Sequence, residues 1–212
     1  MSVQEDLLKE FGGIRITREM KEVAEREIAK REPDIVHHFK TEHYTQEQTD
    51  MIGFYGEFAL RVFLGLDWKA GIRPNYKTIN SHDVLENDWA IDVKTESIPK
   101  RYIWPVIKRS IPDNEWFGRR LYHIGQKNLI EKYDILVIGA TVREESFSEI
   151  DAWFPIGWLP AKNVTSYPSG NKGPMHYSGR QVFYPFPAFQ IKTADLQEIG
   201  ALGEMIKRPK HL

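Results

Sequence analysis

The sequence predicts one α/β domain. Three observations carry that reading. An amphipathic helix pattern lies near the N-terminus, and a much more apolar helix pattern covers 50–66. Short β patterns then lead to the unbroken apolar run "YDILVIGATV" at 133–142. With 212 residues the chain can build one substantial core, and no repeat or linker splits it. The expected organisation is an N-terminal helical brace over 1–45, a core over 50–142 and a C-terminal extension over 143–212.

In "TREMKEVAEREIAKRE" (17–32), Thr17 is placed to cap a helix, Met20, Val23, Ala24 and Ile28 form its apolar stripe, and Pro33 ends it. "DMIGFYGEFALRVFLGL" is apolar on nearly every face, which predicts a buried helix. Glu57 is its one acid after the cap region, and Gly53 one turn earlier leaves its carboxylate approachable. "IRPNYKTI", "INSHDVL" and "WAIDVKT" read as three short strands, the last two separated by a turn at 86–88. Three prolines at 98–115 point to a loop with a short strand. Residues 116–132 read as a second helix despite Gly118 and Gly125, and the run at 133–142 reads as a central strand. In the last third, "DAWFPIGWLPA" and "RQVFYPFPAFQI" read as extended segments around a mobile loop, "SYPSGNKGPMHYSGR".

A net charge of -1 gives no case for a polyanion or membrane surface as a partner of the whole chain, so an anionic ligand needs a local basic region. The absence of cysteine excludes disulfides, thiolate metal sites and cysteine nucleophiles, and fits a cytoplasmic protein. No signal-peptide pattern opens the chain, and no apolar run approaches the roughly 20 residues needed to cross a bilayer. His37, His38 and His43 lack the spacing and acid partner of a metal site.

The stretch "SHDVLENDWAIDVKTES" (81–97) carries the chemistry. With Asn87-Asp88 as a two-residue hairpin turn, Glu86 faces Trp89, Leu85 faces Ala90, Val84 faces Ile91 and Asp83 faces Asp92. Alternation then puts Asp83, Asp92 and Lys94 on one face and Trp89, Ile91 and Val93 on the other. Two opposed carboxylates repel unless a cation compensates or a pKa rises. Mg²⁺ answers that need with oxygen ligands. The plainer alternative is that Asp92 and Lys94 belong to the solvent face of an amphipathic sheet and that Glu57 pairs with Arg61 on a helix surface.

"GFYGEFALRVFLG", "HDV" and "AIDVKT" together resemble the PD-(D/E)XK nuclease superfamily, whose pattern is a helix Glu, a strand Asp and then an acidic-x-Lys on the next strand. The resemblance covers about residues 50–142 and implies a restriction-endonuclease-like core of helix, three strands, helix and strand, with a mixed central sheet flanked by helices. It implies a divalent-metal-dependent DNA endonuclease with Glu57, Asp83, Asp92 and Lys94 as catalytic residues. Asp83, Asp92, Glu57 and the Val93 carbonyl would hold Mg²⁺, with Mn²⁺ able to substitute. The chain departs from the pattern in two ways. His82 replaces the proline before the first Asp, and Ile130 stands at the fourth place after Gln126, which argues against helicase-linked exonucleases. The compact size is similar to archaeal Holliday-junction resolvases, and that likeness implies branched DNA, recombination or repair, and a homodimer.

From Lys94 to Lys132 there are nine Lys/Arg and four acids. Lys100, Arg101, Lys108, Arg109, Arg119 and Arg120 come in pairs with Tyr102, Trp104 and Trp116 among them, a pattern that suits a DNA groove; Gln126 and Lys127 are added as residues able to reach the site. A solvated basic surface is the alternative for any one pair. The aromatic C-terminal segment is expected to supply core or a subunit interface rather than a stacking platform. Three alternatives to the resolvase-like reading remain. These are a restriction-type or mobile-element nuclease, a nuclease-fold module that binds nucleic acid without turnover, and a two-carboxylate sugar hydrolase.

Overall fold

The computed structural model describes residues 2–30, 43–72 and 82–210. The elements run α1 (Val3–Phe11), β1 (Ile14–Arg15), α2 (Arg18–Ala29), α3 (Gln46–Phe63), β2 (Val84–Glu86), β3 (Trp89–Pro99), α4 (Lys100–Ile107), β4 (Arg119–His123), α5 (Lys127–Ile130), β5 (Ile135–Arg143), β6 (Ala152–Pro160), β7 (Ser169–Met175), β8 (Gln181–Lys192) and α6 (Ile199–Ile206). The fold is mixed α/β.

A five-stranded sheet has the order β1-β6-β5-β3-β2. β3 and β5 are parallel; the other pairs are antiparallel, so the sheet is mixed. β5 is central and buried along nearly all its length, as its apolar run predicts. A second sheet, β4-β8-β7, is antiparallel.

Two cores flank the central sheet. Ile91, Val93, Ile135 and Val137 point into one with Phe54, Tyr55 and Phe58 of α3 and Met20, Val23 and Ala24 of α2. Leu136, Ile138 and Ala140 point into the other with Ile103 and Val106 of α4, Tyr122 of β4 and Ile191 of β8. Alternation along β3 and β5 thus feeds two separate interiors.

Local chemistry explains why α3 sits where it does. Thr45 Oγ1 accepts the Gln48 N–H and Gln48 Oε1 accepts the Thr45 N–H, a reciprocal cap worth about 1 kcal/mol. Gly56 lets the helix approach the sheet, since a Cβ there would lie 1.9 Å from Thr95 Oγ1. Thr95 Oγ1 in turn accepts the Trp153 indole N–H at 3.1 Å.

Several expectations need correction. Residues 116–132 are not one helix: they hold β4, a short 3-10 turn and α5. The longer helix between β3 and β5 is instead α4, in the proline-rich stretch, with Pro99 at its N-cap and Pro105 inside. The stretch read as a mobile loop contains β7, paired to β8. β6 belongs to the central sheet, so the core does not end at 142. α1 and α6 add helices the sequence reading lacked. All of the expected strand "IRPNYKTI" after Ile72 lies outside the described residues, as do His37 and His38.

Candidate active site

The hairpin at 84–91 forms as its sequence predicts. Val84 pairs with Ile91, Leu85 with Ala90 and Glu86 with Trp89. Asn87 (φ 48°) and Asp88 (φ 67°) are both left-handed, as a type I′ turn requires.

At Asp83 the regular ladder stops. The Asp83 N–H donates to the Ile91 carbonyl at 2.9 Å, and its carboxylate Oδ2 accepts the Val93 N–H at 2.9 Å. A side chain here takes the backbone donor that a longer β2 would have paired. The Val93 N–H and C=O point to the same edge of the strand, so its carbonyl also lies on the Asp83 edge. Arg61 of α3 holds this corner, its Nη2 donating to the Asp83 carbonyl at 2.7 Å.

Asp92 faces the second core beside Leu136, with Lys94 beside Ile138. Asp92 is 1% exposed. Its Oδ1 accepts from Lys94 Nζ at 2.9 Å; its Oδ2 is buried and receives no donor. Burial pushes the Asp92 carboxyl up to about 7, Lys94 opposing and Asp83 adding to the rise. Burial works against the Lys94 ammonium, but Asp92 and Asp83 outweigh it and raise its pKa. The Lys94 side chain keeps 34% of its surface in solvent, so the pair is reached from outside through the lysine. Tyr122 of β4 closes the other side: its ring centroid is 5.7 Å from Lys94 Nζ, and its buried hydroxyl has no partner. Burial, reinforced by the Asp92 charge, raises the Tyr122 phenol. Nothing in the sequence links Tyr122 to this site except the alternation of buried Arg120 and Tyr122 along β4.

Glu57 does not join this group. Among the described residues, no three His, Asp or Glu side chains come together where they could hold a metal ion. The cause is the sheet itself: α3 packs on the Val93 and Thr95 face of β3, while Asp92 and Lys94 face the opposite core. The remaining donor set is Asp83, the orphaned Asp92 oxygen and the Val93 carbonyl. These are all hard oxygen ligands, in a number that suits a Mg²⁺ ion keeping several waters.

The basic residues separate into three kinds. Arg120 is 0% exposed and structural, with Nη1 2.7 Å from Glu96 Oε2 and Nη2 donating to the Phe117 carbonyl. Burial raises the Glu96 carboxyl against the pull of Arg120. Arg119 is committed to Asp113 and Gln190, and Arg109 to Glu198 and the Ile156 carbonyl. These three correct the expected DNA-contact set, because their guanidinium groups hold loops and strands together. Lys100 pairs with Glu144 and Lys108 with Glu10, both half in solvent. Arg101 and Lys127 are exposed, and Gln126 is half-buried in the 3-10 turn before α5. His43 contacts the Glu144 carbonyl at 3.2 Å.

Comparison of the chain with protein-family models, with curated proteins and with solved structures returns no match. No helix among the described residues is long and apolar enough to cross a membrane.

Proposed function

We propose that the chain is a divalent-metal-dependent DNA endonuclease acting at Asp83, Asp92 and Lys94. The observation that carries this reading is the buried Asp92 carboxylate with one oxygen on Lys94 and the other without a donor. Leaving a buried polar oxygen without a partner costs about 1–3 kcal/mol, which a packed apolar residue would avoid. A bound Mg²⁺ would supply Lewis acidity and a water of lowered pKa. The chain's own residues do the rest. Asp83 and Asp92 present oxygens on one side of β3, the Val93 N–H fixes the Asp83 carboxylate, and the Lys94 ammonium offers its solvent-facing side to a phosphate oxygen. Glu57 is left out of the ligand set. The resolvase-like form, with branched DNA as substrate and a homodimer placing two sites on one junction, is the finer version of the proposal.

A second reading is a nucleic-acid-binding module without turnover, favoured by the lack of a third acid at the site among the described residues. One experiment separates them. Supercoiled, linear and four-way-junction DNA are incubated with the protein in Mg²⁺, Mn²⁺ or EDTA, beside Asp92→Ala and Lys94→Ala. The expected result is metal-dependent cleavage lost in both variants, strongest on the junction. Binding without cleavage would favour the module, and cleavage surviving both substitutions removes this site from the chemistry. Melting curves give a readout without turnover: Mg²⁺ is expected to raise the wild-type midpoint and leave Asp83→Asn/Asp92→Asn unmoved.

A further inference from the structure

Tyr177 lies in the turn joining β7 to β8 and is 73% exposed. It is not loose. Its ring packs on His176 at a centroid distance of 3.9 Å, and His176 stacks on Trp116 at 5.4 Å with planes 26° apart. His176 is buried and held at both nitrogens, with Nε2 3.0 Å from Glu115 Oε1 and Nδ1 2.6 Å from Ser178 Oγ. The Ser178 N–H also donates to Nδ1 at 3.1 Å. Three rings therefore form a fixed pile whose outermost face is open to solvent. A side chain ordered in this way and left exposed contributes little to a core.

The surroundings are cationic and aromatic. Arg101 is exposed, its guanidinium 4.6 Å from the Tyr102 ring centroid. Tyr102 and Tyr177 both lie within electrostatic reach of Glu115, which puts Arg101 at the same end of the molecule as the pile. Between Asp151 and Asp195 the sequence has no acid and four basic residues, although the chain has 30 acids in all. Two of those basic residues, Lys172 and Arg180, are exposed on the β7–β8 hairpin. Phe183, 63% exposed, lies opposite Lys172 on β8. Glu115 is the acid that touches the pile, engaged by His176 and by the Tyr177 hydroxyl.

We propose that the Trp116–His176–Tyr177 pile is a platform on which a base of an unpaired DNA strand stacks, with Arg101, Lys172 and Arg180 attracting the flanking phosphates. Every base offers a π face, and a backbone of phosphates suits a hairpin that carries cations and no acid. A paired duplex hides its base faces and offers the ring nothing to stack on. The inference deepens the endonuclease reading and rests on it for DNA as the partner. It specifies a substrate with a single-stranded segment.

The test is binding in EDTA, where no cut is made. Fluorescence anisotropy compares a labelled oligo(dT) with a blunt duplex of equal length, using the full chain, Tyr177→Ala, Tyr177→Phe and Lys172→Ala/Arg180→Ala. Wild type is expected to prefer oligo(dT). Tyr177→Ala is expected to weaken that binding by about 5- to 150-fold, and Tyr177→Phe to stay within about twofold, because the stacking ring remains. The double cation variant is expected to bind with a shallower salt dependence. The platform is overturned if wild type does not bind oligo(dT), if Tyr177→Ala binds it as wild type does, or if Tyr177→Phe loses as much as Tyr177→Ala. Cleavage of no DNA with Tyr177-dependent binding intact removes the endonuclease reading alone. Cleavage with Tyr177-independent binding removes the platform alone.

Discussion

Lys94 Nζ lies 2.9 Å from one Asp92 oxygen, while the second oxygen of that carboxylate is buried without a donor. The two residues are two apart on β3, so the same strand supplies both charges and their spacing is fixed by the pleat. Removing either member strands the other, whereas removing both relieves the site. A double-mutant cycle over Asp92→Asn and Lys94→Met is expected to give a coupling of about 1–3 kcal/mol in urea unfolding. Additive losses would mean that the pair acts as two independent groups.

The raised Asp92 carboxyl makes stability depend on pH. Its pKa is 3.8 by ordinary standards and about 7 in the folded chain. The folded state therefore holds this proton where the unfolded state has released it. That contribution is full below the lower value and is lost as pH rises through the higher one. Lys94 adds nothing in this window, because its own raised pKa acts above its ordinary 10.5. In EDTA, wild type is expected to lose ground to Asp92→Asn between about pH 4 and about pH 8, read as the difference between their melting midpoints. A constant difference would show that Asp92 titrates as an ordinary carboxyl.

The approach of α3 to the sheet is checked by two glycines on one helix. A Cβ at Gly56 would meet Thr95 Oγ1 at 1.9 Å, while a Cβ at Gly53 meets nothing within 4 Å. Gly56→Ala is expected to destabilise by about 1–3 kcal/mol through overpacking. Gly53→Ala is expected to stabilise by about 0.5–1 kcal/mol through helix propensity. Chemical denaturation measures both, and equal effects would mean that the helix does not touch the strand at Gly56.

The hairpin turn offers a gain. Asp88 is left-handed with φ 67°, a conformation that costs a side chain about 1–2 kcal/mol and glycine almost nothing. Asp88→Gly is expected to raise the melting midpoint. A fall in the midpoint would indicate that the Asp88 side chain, rather than its backbone, matters to the turn.

What was legible in the sequence was local. Asn87-Asp88 announces its turn, and the register of three pairs follows from it. Thr17 caps α2 and accepts the Met20 N–H, as its position predicts. The apolar run of β5 announces a central strand. The missed elements depend on distant partners. β4 reads as a helix because Arg120 disguises its inward face; only Glu96, on another strand, shows that an arginine can be buried there. α4 is hidden by its prolines, and β7 by glycines that reach strand geometry only against β8. At the site, Asp83, Asp92 and Lys94 were legible because one hairpin carries them. The separation of Glu57 was not, since it follows from which face of β3 the helix covers.

The central sheet ends on one side in β1, two residues long, and on the other in β2, which has three residues among those described. β2 pairs with only Trp89, Ala90 and Ile91 of β3, whereas β5 follows β3 from Ile91 to Pro99 along the other edge. Asp83, by taking the Val93 N–H, occupies one of the backbone donors that a foreign strand would otherwise meet on the part of β3 beyond β2. Lengthening β2 to complete the ladder would remove the Asp83 contact and give the Val93 N–H a backbone partner in its place.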